Sequence, residues 1–258
     1  LDPDKPEEAI DLNIGVFSMF KDKKQQILWI GTDGQGLRML YDKYERFDGL
    51  ALEDLPFVML NPVRSVYTDE DKTLWFGTKG DGFVRIKEYD SYAKGEIPLD
   101  RIARYTTADG LSNNRVYCFF KSLYHPLVWI GTDGPGLSYY SYEDEKVHTL
   151  PSKIDTRIRY VHSICEINDS TLWMVTTGDG LIEVVLERDK SGLTVKYLQS
   201  YLLEKDGKIC NEFYSMYYDG KSTLYLGSRG GYGMARFDLL TRQYDFMSMN
   251  NSANQAIG

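Results

Sequence analysis

The sequence predicts an all-β protein: a β-propeller of about five four-stranded antiparallel blades. Three observations carry that prediction. One motif recurs five times, as LWIGTDGQGL from Leu28 to Leu37, LWFGTKGDGF from Leu74 to Phe83, VWIGTDGPGL from Val128 to Leu137, LWMVTTGDGL from Leu172 to Leu181, and a looser LYLGSRGGYGM from Leu224 to Met234. All four tryptophans, Trp29, Trp75, Trp129 and Trp173, take the second position of a copy, and Tyr225 takes it in the fifth. Their positions (29, 75, 129, 173, 225) are 46, 54, 44 and 52 residues apart, the period of a four-stranded propeller blade.

The elements of one unit follow in order. An alternating run such as Val63-Arg64-Ser65-Val66-Tyr67, a polar turn such as Asp69-Glu70-Asp71-Lys72, and Leu74-Trp75-Phe76-Gly77-Thr78 read as two strands joined by a hairpin. Tryptophan in the second strand brings the apolar area and single N–H suited to a wedge between neighbouring blades. Gly31, Gly77, Gly131 and Gly227 lie inside that strand, where a missing side chain signals something packed close against the backbone. The later pair, Gly34 and Gly36 and their equivalents, suits a tight turn with positive φ. A phosphate cradle would need that loop to run into a helix N-terminus, whereas here it runs into another strand, such as Phe83-Val84-Arg85-Ile86. A fourth run, Ile102-Ala103-Arg104-Tyr105 or Gln243-Tyr244-Asp245-Phe246, closes the unit. The repeats span 28–40, 74–86, 128–140, 172–184 and 224–237 of one propeller region, 1–258. Longer links run from Phe47 to Pro62, Thr106 to Arg115, Thr149 to Tyr160 and Leu203 to Glu212. They share a face with the glycine turns, where repeat arrays commonly carry their binding surface.

Composition narrows the function. The chain has 258 residues, 42% of them apolar, enough for a sizeable core. Net charge is −8 and no basic run exceeds Lys23-Lys24, so there is no electrostatic footprint for nucleic acid. No apolar run approaches the roughly 18 residues of a spanning helix, and the first residues lack the basic and apolar regions of a signal peptide. The stretch therefore reads as soluble. Cys118, Cys165 and Cys210 form no CxxC and no Cys/His ligand spacing, which suggests small buried thiols rather than zinc or disulfides. Asp69-Glu70-Asp71 lacks the D-x-D-x-D-G spacing of a calcium loop and reads as a solvated hairpin. No cofactor or metal is expected. The 20 tyrosines suit half-buried pleated surfaces and, less commonly, stacking on sugars.

The unit resembles the two-component regulator propeller repeat, whose pattern runs roughly V-x-x-I-x-x-D-x-x-G-x-L-W-I-G-T-x-x-x-G-L. It is followed by a segment like Tyr105-Thr106-Thr107-Ala108-Asp109-Gly110-Leu111-Ser112-Asn113-Asn114-Arg115-Val116. Copies two and three match best and copy five worst. The resemblance implies the periplasmic sensor region of a hybrid two-component histidine kinase, of the kind by which gut Bacteroidetes detect glycan fragments and switch on polysaccharide-utilisation genes. It also implies seven blades, an immunoglobulin-like domain elsewhere in the chain and a homodimeric receptor. The five repeats, with Asn250 to Ile257 reading as the start of a sixth, are thus expected to belong to a larger propeller and a longer ectodomain.

Two other functions stay open: a scaffold propeller without a small ligand, and a five-bladed glycoside hydrolase. Against the hydrolase, Asp33, Asp81, Asp133 and Asp179 recur in the glycine turns, as turn aspartates do and a catalytic pair does not. No catalytic residue is therefore assigned. His125 precedes Pro126 in a turn, His148 lies in a polar strand, and only His162 sits where it could face a central channel. The lead-ins to the inner strands bring Asn61, Arg64, Asn114, Arg115, Arg159, His162, Asn211 and Glu212 to one rim. These are the candidate ligand-binding residues, and the arginines favour an oligosaccharide that is anionic. The bland alternative is that the same groups cap exposed strand ends.

Overall fold

In the computed structural model, which describes residues 15–22, 27–33, 36–41, 46–50, 52, 55–89, 97–150, 158–189, 192–229 and 231–247, the repeats become five four-stranded antiparallel sheets. Blade one holds β1 (Val16–Asp22), β2 (Ile27–Thr32), β3 (Leu37–Tyr41) and β4 (Arg46–Leu50). Blade two holds β5 (Val63–Thr68), β6 (Leu74–Thr78), β7 (Phe83–Ile86) and β8 (Ile102–Tyr105). Blade three holds β9 (Val116–Lys121), β10 (Leu127–Thr132), β11 (Ser138–Ser141) and β12 (Lys146–Thr149). Blade four holds β13 (Val161–Asn168), β14 (Thr171–Thr176), β15 (Leu181–Asp189) and β16 (Gly192–Tyr201). A hairpin of β17 (Leu203–Lys205) and β18 (Lys208–Cys210) precedes blade five, which holds β19 (Phe213–Tyr218), β20 (Thr223–Ser228), β21 (Met234–Asp238) and β22 (Tyr244–Phe246). The hairpin corrects the expectation of a plain link over Leu203 to Glu212. Its three-residue strands are too short to show a period, and it turns at Asp206 and Gly207, both at positive φ.

The tryptophans are the wedge. Trp29 packs with Val63, Leu74 and Phe76, Trp75 with Val128 and Ile130, Trp129 with Ile164, Leu172 and Met174, and Trp173 with Leu224, Leu226 and Phe237. Each ring thus faces the following blade. The in-strand glycine has the close-packed partner expected of it. A Cβ at Gly77 would lie 2.5 Å from Ser65 Oγ of its own blade and 2.6 Å from Val116 Cγ1 of the next, so a side chain there would force the blades apart. The second glycine of each turn has the positive φ its tightness requires, 79° at Gly82 and 88° at Gly136.

Polar latches cross the seams. Asp69 is buried rather than solvated. Its Oδ2 accepts from Trp75 Nε1 at 3.2 Å and from the Tyr142 hydroxyl of blade three at 3.0 Å, while Oδ1 accepts from Asp71 N and Thr73 N. Buried Glu166 of blade four accepts from Trp129 Nε1 (2.7 Å), Ser122 Oγ (2.6 Å) and Leu123 N (2.7 Å) of blade three. Between blades four and five, Arg242 lies over the Trp173 ring and donates to Glu183 at 2.7 Å. The Trp29 Nε1 is buried without a hydrogen-bond partner among the described residues.

The inner strands pack in chain order, β1 on β5, β5 on β9, β9 on β13 and β13 on β19, and among the described residues no contact of like extent returns from β19 to β1. The free face of β19 leaves Tyr217 68% exposed, and that of β1 leaves Met19 67% exposed. Cys118, Cys165 and Cys210 are free thiols, the last two buried. Among the described residues no helix is long and apolar enough to cross a membrane. Asn250 to Ile257 lie outside the described residues.

Candidate functional site at the channel mouth

One face of the arc is knitted together by backbone bonds that repeat from blade to blade. The second residue after the in-strand position donates its N–H to the carbonyl just before the inner strand: Asp33 to Gly15, Lys79 to Pro62, Asp133 to Arg115, Thr177 to Tyr160 and Arg229 to Glu212, at 2.8–3.4 Å. The same turns reach forward to the next blade, from Gly82 N to Asn114 O, Gly136 N to Ile158 O and Gly178 N to Asn211 O. Glycine turns and inter-blade links therefore share one rim, whose positions are fixed in the first place by backbone hydrogen bonds.

The Thr106 to Arg115 link shows how closely the rim is built. Thr106 and Asp109 form a reciprocal capping box around a 3-10 turn at Thr107–Asp109, and Gly110 leaves it at φ 101°. Leu111 is buried in the core, and the Asn114 side-chain oxygen accepts from Thr107 N at 2.8 Å.

Most of the sequence-selected residues are held in this rim by their own partners. Asp81 accepts from Leu60 N, from Asn61 N (2.7 Å) and from the Asn61 amide (3.0 Å). Arg115 pairs with Asp133 at 2.9 Å and Arg159 with Asp179 at 3.2 Å. Asn211 donates its amide to Gly178 O at 2.8 Å, and Glu212 pairs by its backbone with Thr177. The turn aspartates thus do more than shape their own turns: three of them, Asp81, Asp133 and Asp179, hold the lead-in of the same blade, 18 to 20 residues away.

Arg64 and His162 are placed differently, and the reason is a β-bulge. The register slips at the same place in all five inner strands, between Val16 and Ser18, Val63 and Ser65, opposite Thr132 and Gly131 in blade three, between Val161 and Ser163, and between Phe213 and Ser215. The skipped residues are Phe17, Arg64, Tyr117, His162 and Tyr214. A bulge re-aims its extra side chain and recurs at barrel rims, and here four of the five meet. The Arg64 guanidinium lies 4.3 Å from the Tyr117 ring centroid, Tyr117 stacks on His162 at 4.1 Å and 29°, and His162 lies 4.5 Å from Tyr214. Arg229 donates to the Tyr214 hydroxyl at 3.2 Å, and Lys79 Nζ lies 4.5 Å over the Phe17 ring. Sequence reading had missed Phe17, Tyr117, Tyr214, Lys79 and Arg229. The signal was present as V/F-x-S/C at the start of every inner strand (VFS, VRS, VYC, VHS, FYS).

Burial, and then the Arg64 charge, pull the His162 imidazole down from 6.5 to about 4, against an opposing pull from Asp133. It is therefore neutral near pH 7. Burial and the Asp133 carboxylate push the Tyr117 hydroxyl up. Asp133 Oδ1 is buried with no hydrogen-bond partner among the described residues. Of the other histidines, His125 Nε2 contacts Asp169 O at 2.7 Å and His148 pairs with Asp144 at 2.9 Å, each away from this belt.

The profile of the two component regulator propeller family matches residues 59–80. Over 258 residues the chain is 25% identical to histidine kinase P4 of Formosa agariphila, covering 98% of this chain and 17% of that protein. Its fold is similar to the extracellular domains of two hybrid two component systems from B. thetaiotaomicron. To BT4673 the TM-score is 0.67 at 18% identity, over 92% of this chain and 30% of that one. To BT3049 it is 0.58 at 17% identity, over 93% and 36%. The chain thus spans about a sixth of the curated relative and about a third of the solved chains. Residues 59–80 thus match the two component regulator propeller profile, and the fold is similar to that of the extracellular domains of hybrid two component systems.

Proposed function

We propose that this propeller is the extracytoplasmic, periplasmic ligand-sensing region of a hybrid two-component histidine kinase, and that it binds an oligosaccharide to control polysaccharide-utilisation genes. The observation that carries the reading is the belt of bulged side chains. Arg64, Tyr117, His162 and Tyr214, one bulged position from each of four blades, lie side by side, which supports a site to which several blades contribute at once. The belt offers arginine, tyrosine and a neutral histidine, groups suited to binding, and Asp133 and Asp179 beside the rim are paired with Arg115 and Arg159. A sensor needs different affinity for its ligand in two states of the receptor, not chemistry on it. Further blades, an immunoglobulin-like domain of the same chain and a second receptor copy complete the proposed assembly. Calorimetric titration against a panel of neutral and acidic oligosaccharides tests it. Binding of an intact sugar, weakened by His162→Ala or Tyr214→Ala, is expected. Recovery of cleaved sugar, or no binding by the full ectodomain, overturns it.

A further inference from the structure

The belt is occupied by its own stacking. Tyr117 has Arg64 close against its ring at 4.3 Å and His162 stacked on it at 4.1 Å, and His162 is also packed by Tyr214. Ring faces that a sugar would stack on are therefore largely taken. What these rings leave to a ligand is their edges, and an aromatic edge is the positive part of the quadrupole. The cations around them add to this. Arg64, Lys79 and Arg229 each lie over a belt ring, and none of the three has a carboxylate within ion-pair distance among the described residues. Arg115 and Arg159 are different, because each is already neutralised by an aspartate at 2.9 Å and 3.2 Å. At the centre of the belt the Arg64 charge acts on His162 more strongly than Asp133 does. At Tyr117 the order is reversed, so it is the three cations without an ion-pair partner among the described residues, rather than a net field, that mark the belt for an anion in a chain that carries −8 overall.

Resting on the sensing reading above, we infer that the belt binds the anionic group of its ligand, a carboxylate or sulfate on a saccharide, with Arg64 as the principal contact and Arg229 and Lys79 flanking it. The assignment moves the charge-reading role from Arg115 and Arg159, which brace the rim, to the bulged arginine, which engages Tyr117 but no carboxylate among the described residues and has further N–H donors for an oxyanion.

Inorganic sulfate titrated into the 258-residue chain, with the His162 ring signals followed by NMR against chloride of equal ionic strength, tests the anion site without any sugar. Saturable movement of those signals is expected in the parent, in Arg115→Gln and in Arg159→Gln. Affinity should fall about tenfold or more in Arg64→Gln and return in part in Arg64→Lys, which keeps the charge and loses the fork. Unmoved signals in the parent, or equal binding by Arg64→Gln with its near-UV spectrum unchanged, overturn the inference. A galacturonate trisaccharide, its methyl ester and a sulfated disaccharide then separate this idea from the broader one. Acid or sulfate bound more tightly than ester supports both, and the better of the two identifies the source of the charge. Ester bound as tightly as acid overturns the anion assignment and leaves the sensor standing. Sulfate bound at Arg64 with no saccharide bound keeps the anion site and removes the oligosaccharide.

Discussion

The seam between blades three and four and the outer face of blade five are written in the same motif, yet the two surfaces end up in opposite surroundings. In the seam, Trp129 is fully buried, its N–H is held by Glu166 of the next blade, and Gly131 lies against Val161 O of that blade. On blade five, Tyr225 takes the place of the tryptophan and meets Tyr217, itself mostly exposed, at 6.3 Å. Gly227 is kept, but a Cβ there would touch only Ser215 of its own blade. The difference teaches that the motif's demands are made by the following blade. Bulk at the second position and emptiness at the fourth are features of an interface, so their energetic weight should vanish where that interface is missing.

Removing the wedge should show the largest effect. Trp129→Ala deletes a fully buried ring and is expected to destabilise by about 3 to 5 kcal/mol, whereas Tyr225→Ala, at a ring only partly buried, should cost about half of that or less. Urea unfolding of the two variants measures both, and equal losses would break the comparison. Next in size is the latch. Glu166→Ala strands three donors, Trp129 Nε1, Ser122 Oγ and Leu123 N, and should lose about 2 to 4 kcal/mol. Glu166→Gln, which still accepts through one oxygen, should lose less; if Ala and Gln are alike in the same assay, the latch contributes no more than packing.

The glycine pair sharpens the contrast at smaller scale. At Gly131 an added methyl meets the Val161 backbone carbonyl, which cannot move without shifting a strand. At Gly227 it meets a serine hydroxyl that can rotate away. Gly131→Ala is expected to cost about 1 to 3 kcal/mol as overpacking and Gly227→Ala a fraction of that. Thermal midpoints that fall by the same amount in both would show that the glycine serves its own hairpin and not the neighbouring blade.

The blades, the wedge tryptophans and the shared rim were legible because each is repeated, and repetition at a fixed period survives the loss of any single signal. The rim side chains were legible as a set, but not their roles. Sequence could bring Arg64, Arg115 and Arg159 to one rim, yet whether an arginine is free or already paired depends on Asp133 and Asp179, 18 and 20 residues further on and adjacent only across a hairpin. The bulge was harder still. One extra residue in a strand shifts the alternation by one place, so Tyr117 and Tyr214 read as ordinary strand tyrosines until the five inner strands are aligned. The β17–β18 hairpin carries no period at all.

The smallest expected effect lies on the mouth side of the same comparison. His162 begins the inner strand of blade four and is enclosed on both sides, by Tyr117 of blade three and Tyr214 of blade five, with Thr177 Oγ1 at 3.4 Å and the Arg64 and Asp133 charges nearby. Its folded pKa, about 4, is below the ordinary 6.5, so between those values the unfolded chain binds more protons than the folded one. Stability is then fully present above pH 6.5, falls as pH drops through 6.5, and levels off below about 4. Partial exposure of the ring discounts the effect to about 1 kcal/mol. Acidic groups with lowered pKa values are separable from it. Glu145 is held low by Lys87, Asp219 by the Thr223 N–H and Asp238 by the Thr241 N–H, and their contributions, present above the ordinary carboxylate range, fade only at lower pH. His162→Gln, neutral throughout, should flatten the stability curve between pH 6.5 and 4.5 while leaving the steeper acid limb in place. Parallel curves for parent and variant over that window would mean that solvent reaches the imidazole freely, and that the seam enclosing Trp129 does not extend up to the mouth.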